Sequence, residues 1–250
     1  MKRLFRFYIL LFFVFLTLAG CQSSWHTANT KATQYQINPE SRKDSSFLYM
    51  LQPYYHQMAA TMEKVIAVSD VELIKKQPSC NMGNFFVDIV KYTAEKAYKM
   101  PVDLAVFNHG GMRLTSLAPG NVTLGKIYEL SPFDNYIVLL KLNGKVLQEF
   151  LDLTAAKGGW PVAGCTYFIK NKKAINVLIN GSPVDSNKTY TVATIDYVAN
   201  GGDDADMLRT IPQLSNKIIM REAIISYLQQ LTADGKHIAD KPEKRVQYAE

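Results

Sequence analysis

Asp103-Leu104-Ala105-Val106-Phe107-Asn108-His109-Gly110-Gly111-Met112-Arg113 joins two kinds of local structure without a break. Its first five residues are an apolar run of strand length, read as a buried strand. The paired glycines that follow let the backbone turn sharply and approach a ligand, because no Cβ intervenes. Arg113 closes the run with a forked, permanently charged donor suited to a phosphate or carboxylate. A second junction of the same kind, Asn200-Gly201-Gly202-Asp203, follows a predicted strand at Tyr190 to Ile195. Taken alone, the two junctions describe either ligand-binding loops or ordinary tight turns.

Outward from them the pattern mixes helices and short strands. Pro53 to Met62 is a predicted helix with its proline in the first turn, and Val65 to Ser69 a short strand. Asn81 stands as the cap of a helix over Met82 to Lys99, on which Phe85, Ile89, Tyr92 and Lys96 share one face. Ile137 to Leu142 reads as a strand, Asn143-Gly144 as a turn and Val146 to Ala156 as a helix. Tyr167 to Ile169, Ile175 to Ile179 and Tyr190 to Ile195 alternate with turn signals such as Asn180-Gly181, which predicts a meander. A last helix is expected over Ile218 to Leu231. Strict βαβ alternation is missing, so the fold class is α+β, a mixed β-sheet with packed helices.

Composition agrees with one folded domain. The chain has 250 residues, of which 48% are hydrophobic, 11% aromatic and 20% charged, a balance unlike that of a disordered protein. Its formal charge of +6 invites a polyanion, but three of the cations lie in the first six residues. Lys2, Arg3 and Arg6 precede an apolar run from Phe7 to Leu18 and the small residues Ala19-Gly20, the layout of a secretory signal. Leu18-Ala19-Gly20-Cys21 further resembles a bacterial lipobox, which implies cleavage after Gly20 and acylation of Cys21. Loss of residues 1–20 leaves 25 basic against 22 acidic residues, a net charge of +3 with no dense basic stripe, so a nucleic-acid polymer is not the expected partner. Residues 21–46 are polar and aperiodic and read as a tether, with the folded domain at 47–250. The expected location is exported and membrane-anchored, on the periplasmic face or the outer membrane. Gln22 after the cysteine, where an aspartate tends to retain lipoproteins at the inner membrane, favours outer-membrane sorting.

Four motifs occur in order: Cys80-Asn81-Met82-Gly83-Asn84-Phe85, Asn108-His109-Gly110-Gly111-Met112-Arg113, Ser131-Pro132-Phe133-Asp134-Asn135, and Asp196-Tyr197-Val198-Ala199-Asn200-Gly201-Gly202-Asp203. This series resembles the substrate-binding C-terminal domain of the 5′-nucleotidases, from about Val65 to about Val246. The resemblance implies that Asn108 and Arg113 meet the substrate phosphate or nearby groups. It also implies a second cation shortly before the Asn-Met-Gly motif, normally arginine and here matched by Lys76. Phe133 is implied to stack on one face of a nucleobase with Asn135 at the base edge. Tyr197, where phenylalanine is usual, covers the opposite face, and Asp203 accepts hydrogen bonds from the ribose hydroxyls. His109 stands where the family motif more often has glycine, and its role stays open.

The fused enzymes of that family carry their two metals on a separate N-terminal metallophosphatase domain. Here the only histidines are His26, His56, His109 and His237, and there is no Asp-x-His motif. Phe107-Asn108-His109-Gly110 holds an Asn-His pair but lacks the glycine before it and the acid after it, so it is rejected as a metal site. No catalytic residue, metal or cofactor is therefore assigned to this chain. The expectation is the nucleotide-binding half of a split phosphohydrolase of nucleotide catabolism, with divalent metals in a separate metallophosphatase partner and membrane contact through the lipid anchor. The alternative is a non-catalytic, membrane-anchored nucleotide-binding module. Cys80 and Cys165 either pair across a long loop or stay buried and unpaired.

Overall fold

The computed structural model describes residues 29–38 and 40–250; the signal segment and Cys21 lie outside them. The chain divides into two units, Met1–Leu48 and Tyr49–Glu250, with the boundary inside the first helix of the described residues. That helix, Ser45–Met62, begins eight residues earlier than the sequence pattern indicates. Asp44 explains the early start: its Oδ1 accepts from the backbone N–H groups of Ser46 and Phe47 at 3.0 and 3.1 Å, which satisfies donors that a helix start leaves free. These bonds hold the Asp44 carboxyl below its ordinary pKa, chiefly through the Ser46 hydroxyl. Pro53 thus sits inside the helix, not in its first turn. Among the described residues, no helix is long and apolar enough to cross a membrane.

Within the second unit a five-stranded sheet forms the centre. Its order is Gln213–Ile219, Tyr136–Asn143, Thr189–Ile195, Leu104–Val106, Val162–Ala163. All neighbours are antiparallel except Thr189–Ile195 with Leu104–Val106, so the sheet is mixed, as expected for α+β. Thr189–Ile195 is buried at every position after Thr189, which suits its place in the middle. A four-stranded sheet lies elsewhere in the unit, ordered Ser182–Pro183, Lys173–Ile179, Cys165–Lys170, Val246–Tyr248. The predicted meander therefore holds for Cys165–Lys170 and Lys173–Ile179, while Thr189–Ile195 leaves it for the central sheet. Asn180 and Gly181 have φ of 49° and 81°, both left-handed, as the tight turn after Lys173–Ile179 requires. Gln213–Ile219 is a strand where only the following helix was expected, and that helix runs Met220–Ala233.

Helix Asn81–Tyr98 packs its Phe85, Phe86, Ile89 and Val90 into the core. Its cap is Cys80, whose Sγ accepts from Gly83 N, and not Asn81. Asn81 instead ties neighbouring segments together: its Oδ1 accepts from Ile74 N at 2.8 Å and its Nδ2 donates to the Glu72 carbonyl at 2.9 Å. Asn143 caps helix Gly144–Ala156 by accepting from Val146 N, so the expected Asn-Gly turn is a strand-to-helix junction. Cys80 and Cys165 are both buried and unpaired.

Candidate functional site

The glycine-pair junctions meet at the C-terminal ends of adjacent central strands, Leu104–Val106 and Thr189–Ile195. Between them lies a cavity of about 380 Å³ lined by Asn108, Gly110, Gly111, Arg113, Phe133, Asn135, Tyr197 and Asp203. That volume is in the range of small-molecule sites. Six of the seven residues singled out from sequence converge on it from three separated stretches of chain. Phe133 and Tyr197 are each 45% exposed, so neither ring belongs to the core and both present apolar faces to the cavity.

Asp203 is held from two sides. The Tyr197 hydroxyl donates to its Oδ1 at 3.0 Å and Asn108 Nδ2 donates to its Oδ2 at 2.8 Å. Its backbone is left-handed, with φ of 54°, which a short polar side chain tolerates better than most. Each carboxylate oxygen retains acceptor capacity beyond these bonds. Bonding to Asp203 also raises the pKa of the Tyr197 phenol. Gly202 allows this arrangement: a Cβ there would lie 2.5 Å from the Tyr197 carbonyl and 2.6 Å from its ring. Gly111 is equally constrained, since a Cβ would lie 2.7 Å from both Asn108 Oδ1 and the Phe107 ring.

The cationic corner differs from the sequence expectation. Lys76 is not brought to this cavity; it lines a separate one with Ile74, Ser79, Asn81 and Asp240. The preceding residue, Lys75, is the cation that turns toward Arg113. Its Nζ donates to the Met112 carbonyl at 2.7 Å, and its pKa is lowered by burial first and by the Arg113 charge second. In extended chain successive side chains point to opposite sides, so neighbouring lysines cannot share a destination. Arg113 lies 5.6 Å from the Phe133 ring centroid, over its face. His109 is not among the lining residues; burial and the nearby Lys75 lower its pKa, which keeps its imidazole neutral near pH 7.

The loop carrying Phe133 and Asn135 is fixed by a residue that sequence reading passed over. Arg221, in the first turn of helix Met220–Ala233, pairs with Asp134 and lies 4.3 Å from the Tyr128 ring centroid. Met220 N donates to the Asn135 carbonyl at 2.8 Å. Asp196 closes the other side, its Oδ1 accepting from Tyr136 N and Tyr197 N at 3.0 and 2.9 Å. Among the described residues, no cluster of three or more His, Cys, Asp or Glu side chains is placed to hold a metal ion. Among the described residues, Asp203 is the one carboxylate lining the cavity, and it is engaged by two hydrogen-bond donors.

Comparison with known proteins adds lineage to this geometry. Residues 59–210 match the family model described as 5′-nucleotidase, C-terminal domain. The chain is 26% identical over 218 residues to Protein UshA of Escherichia coli K12, a match that covers 83% of this chain and 38% of that protein. It is 28% identical over 196 residues to a 5′-nucleotidase of Vibrio vulnificus, covering 74% and 34% respectively. Among solved structures, a 5′-nucleotidase precursor from Thermus thermophilus superposes with a TM-score of 0.71 at 26% identity, over 84% of this chain and 44% of that one. The chain thus spans between about a third and just under half the length of these relatives.

Proposed function

The chain belongs to the 5′-nucleotidase C-terminal domain family, and from that membership we propose that its cavity binds a nucleotide and positions the phosphate ester for hydrolysis. The observation that carries this reading is the convergence of Phe133, Tyr197, Asp203, Asn108 and Arg113 on one cavity. Two exposed rings suit a nucleobase, and stacking contributes roughly 1–3 kcal/mol per contact with little regard for which base it is. A carboxylate held by two donors, with acceptor capacity to spare, suits a vicinal diol. Arg113 supplies a planar, bidentate phosphate donor, and Lys75 a second positive charge beside it. Asn135, next to Phe133, is at hand for the base edge.

Bond cleavage would come from a metallophosphatase that carries the divalent metals, and the present chain contributes by orienting the ester. Such positioning accounts for several kcal/mol of a typical barrier. Attachment to a membrane through acylated Cys21, with the domain on the exported side, completes the proposal and rests on the Leu18-Ala19-Gly20-Cys21 motif alone.

Calorimetric titration of the purified chain with a nucleoside 5′-monophosphate tests the binding half. Phe133→Ala is expected to weaken binding by about 1–3 kcal/mol; unchanged affinity would refute the stacking role. The purified chain alone is expected not to hydrolyse the ester with Mn²⁺ or Zn²⁺, and to support hydrolysis when a metallophosphatase is added. Hydrolysis by the chain alone would refute the division of labour, and binding without hydrolysis beside any such enzyme would favour a non-catalytic binding module.

A further inference from the structure

Lys75, the cation beside Arg113, belongs to a segment with few anchors of its own. The preceding strand, Leu73–Ile74, pairs with Ser116–Leu117 over two residues only, and the ladder ends where Lys75 N donates to the Thr115 carbonyl at 2.9 Å. So short a pair is marginal without further support. Leu73 is fully buried, but Ile74 is 44% exposed and adds little packing. Lys75 Nζ gives one of its three donors to the Met112 carbonyl and keeps two for a ligand. The Arg113 charge disfavours an ammonium there, so a lysine on a loose backbone would turn away into water.

A single side chain holds the opposite edge of that segment. Asn81 Oδ1 accepts from Ile74 N at 2.8 Å, and Asn81 Nδ2 donates to the Glu72 carbonyl at 2.9 Å. These two backbone groups flank Leu73 and face away from Ser116–Leu117, where a neighbouring strand would otherwise pair with them. One carboxamide therefore stands in for a missing strand. It is itself held on both ends: Oδ1 also accepts from Met82 N at 2.9 Å, and Nδ2 also donates to Asp240 Oδ1 at 2.8 Å. Every donor and acceptor position of the amide is then in use. Asn81 opens helix Asn81–Tyr98, whose Met82, Phe85, Phe86 and Ile89 are buried, so the amide is mounted on a support anchored in the core.

On the nucleotide reading given under Proposed function, on which this step rests, we propose that Asn81 is a positioning residue for phosphate binding. By gripping Glu72 and Ile74 it aims Lys75 at the place beside Arg113 where the phosphate of a nucleotide sits. Asn81 lines the separate cavity that holds Lys76 and not the nucleotide cavity, so its influence on a ligand passes through the chain to Lys75. Without that grip the ligand has to immobilise a long, freely rotating side chain against the Arg113 charge, and affinity falls by the ordering cost.

A double-mutant cycle read by calorimetry on the purified chain tests it, with a nucleoside 5′-monophosphate and the matching nucleoside as probes. Asn81→Ala should raise the dissociation constant of the nucleotide about three- to tenfold, at most the loss expected from removing the Lys75 ammonium itself. Affinity for the nucleoside should stay the same. In a Lys75→Met background, Asn81→Ala should have no further effect on the nucleotide, because the group that it aims is gone. Unchanged nucleotide affinity, equal weakening of nucleotide and nucleoside, or the same weakening in both backgrounds would each overturn the proposal; the last two are what a merely structural asparagine gives. If Asn81→Ala shows no cooperative thermal transition, Asn81→Ser enters the same cycle with the same outcomes, since its hydroxyl is one bond too short to reach both Ile74 and Glu72. The unsubstituted chain judges the underlying reading separately. Equal affinity for nucleotide and nucleoside there would remove the phosphate subsite and the proposal with it, whereas a nucleotide preference that survives Asn81→Ala intact would remove only the positioning role.

Discussion

Removing one oxygen atom, by Tyr197→Phe, isolates the contact that joins the stacking ring to the sugar-binding carboxylate. The ring remains available for a base, but Asp203 Oδ1 loses the donor now 3.0 Å away and keeps only Asn108 on Oδ2. In the wild type both carboxylate oxygens are oriented before a ligand arrives. In the variant the ligand must immobilise a side chain that has gained freedom, at a cost of about 0.5–1.5 kcal/mol. At 1.4 kcal/mol per tenfold change, the dissociation constant should rise about 2- to 12-fold. The effect should be confined to ligands that use Asp203. Calorimetry at neutral pH would compare a ribonucleoside monophosphate with its 2′,3′-dideoxy analogue: Tyr197→Phe should weaken only the former, and Tyr197→Ala should weaken both, since the stack is lost as well. Because the bond to Asp203 raises the Tyr197 pKa above the ordinary value of 10.0, the phenol stays protonated and able to donate throughout the neutral and mildly alkaline range. The advantage of wild type over Tyr197→Phe should therefore persist to about pH 9 and disappear as pH rises through that raised pKa. Equal weakening of the two ligands, or tighter ribonucleotide binding by Tyr197→Phe, would refute the reasoning; the second outcome would mean that the hydroxyl competes with the sugar for Asp203.

Three further outcomes are expected. Lys75→Met should weaken nucleotide binding about tenfold, the order of one charge-assisted hydrogen bond, with the matching nucleoside little affected and Lys76→Met nearly neutral; the reverse ranking by calorimetry would move the second cation back to Lys76. Asp134→Ala should destabilise the fold by about 1–3 kcal/mol, because it leaves the nearly buried Arg221 without its close carboxylate, and thermal denaturation should show a drop of several degrees. In native protein lacking residues 1–21, Cys80 and Cys165 should both resist alkylation at pH 8 and react only after denaturation, since both are buried and burial pushes the Cys165 thiol up to about 12; rapid labelling of Cys165 in native protein would contradict the packing around it.

What the sequence disclosed follows the range of the interactions involved. Strand Leu104–Val106 and the Asn180-Gly181 turn depend on neighbours a few residues away, and local pattern is enough to read them. Of the face read on helix Asn81–Tyr98, Phe85 and Ile89 are buried but Tyr92 and Lys96 are not, because the core face turns toward Phe86 and Val90. Convergence of Asn108, Arg113, Phe133, Asn135, Tyr197 and Asp203 is legible only through the ordered motifs, because their proximity is created by pairing across the central sheet. The departure of Thr189–Ile195 from the meander is long-range in the same way: its alternation says strand, but its partners Tyr136–Asn143 and Leu104–Val106 lie far away in sequence. Lys75 and Lys76 cannot be told apart by charge, since the direction of each side chain is set by how the extended segment after Leu73–Ile74 meets Thr115. Arg221 looks like one more cation on a terminal helix, and nothing local shows that its guanidinium reaches back to Tyr128 and Asp134. Asn81 suits a cap by residue type, but the chain uses the Cys80 sulfur there and turns the amide to Glu72 and Ile74.

The central claim is that this cavity takes a nucleotide in one orientation. A crystal structure of the chain grown with a nucleoside 5′-monophosphate tests it most directly. The base is expected against Phe133 and Tyr197, the ribose hydroxyls on Asp203, and the phosphate beside Arg113 and Lys75. Ordered nucleotide bound elsewhere, or bound here with its phosphate at Asp203 and its base away from both rings, would contradict it.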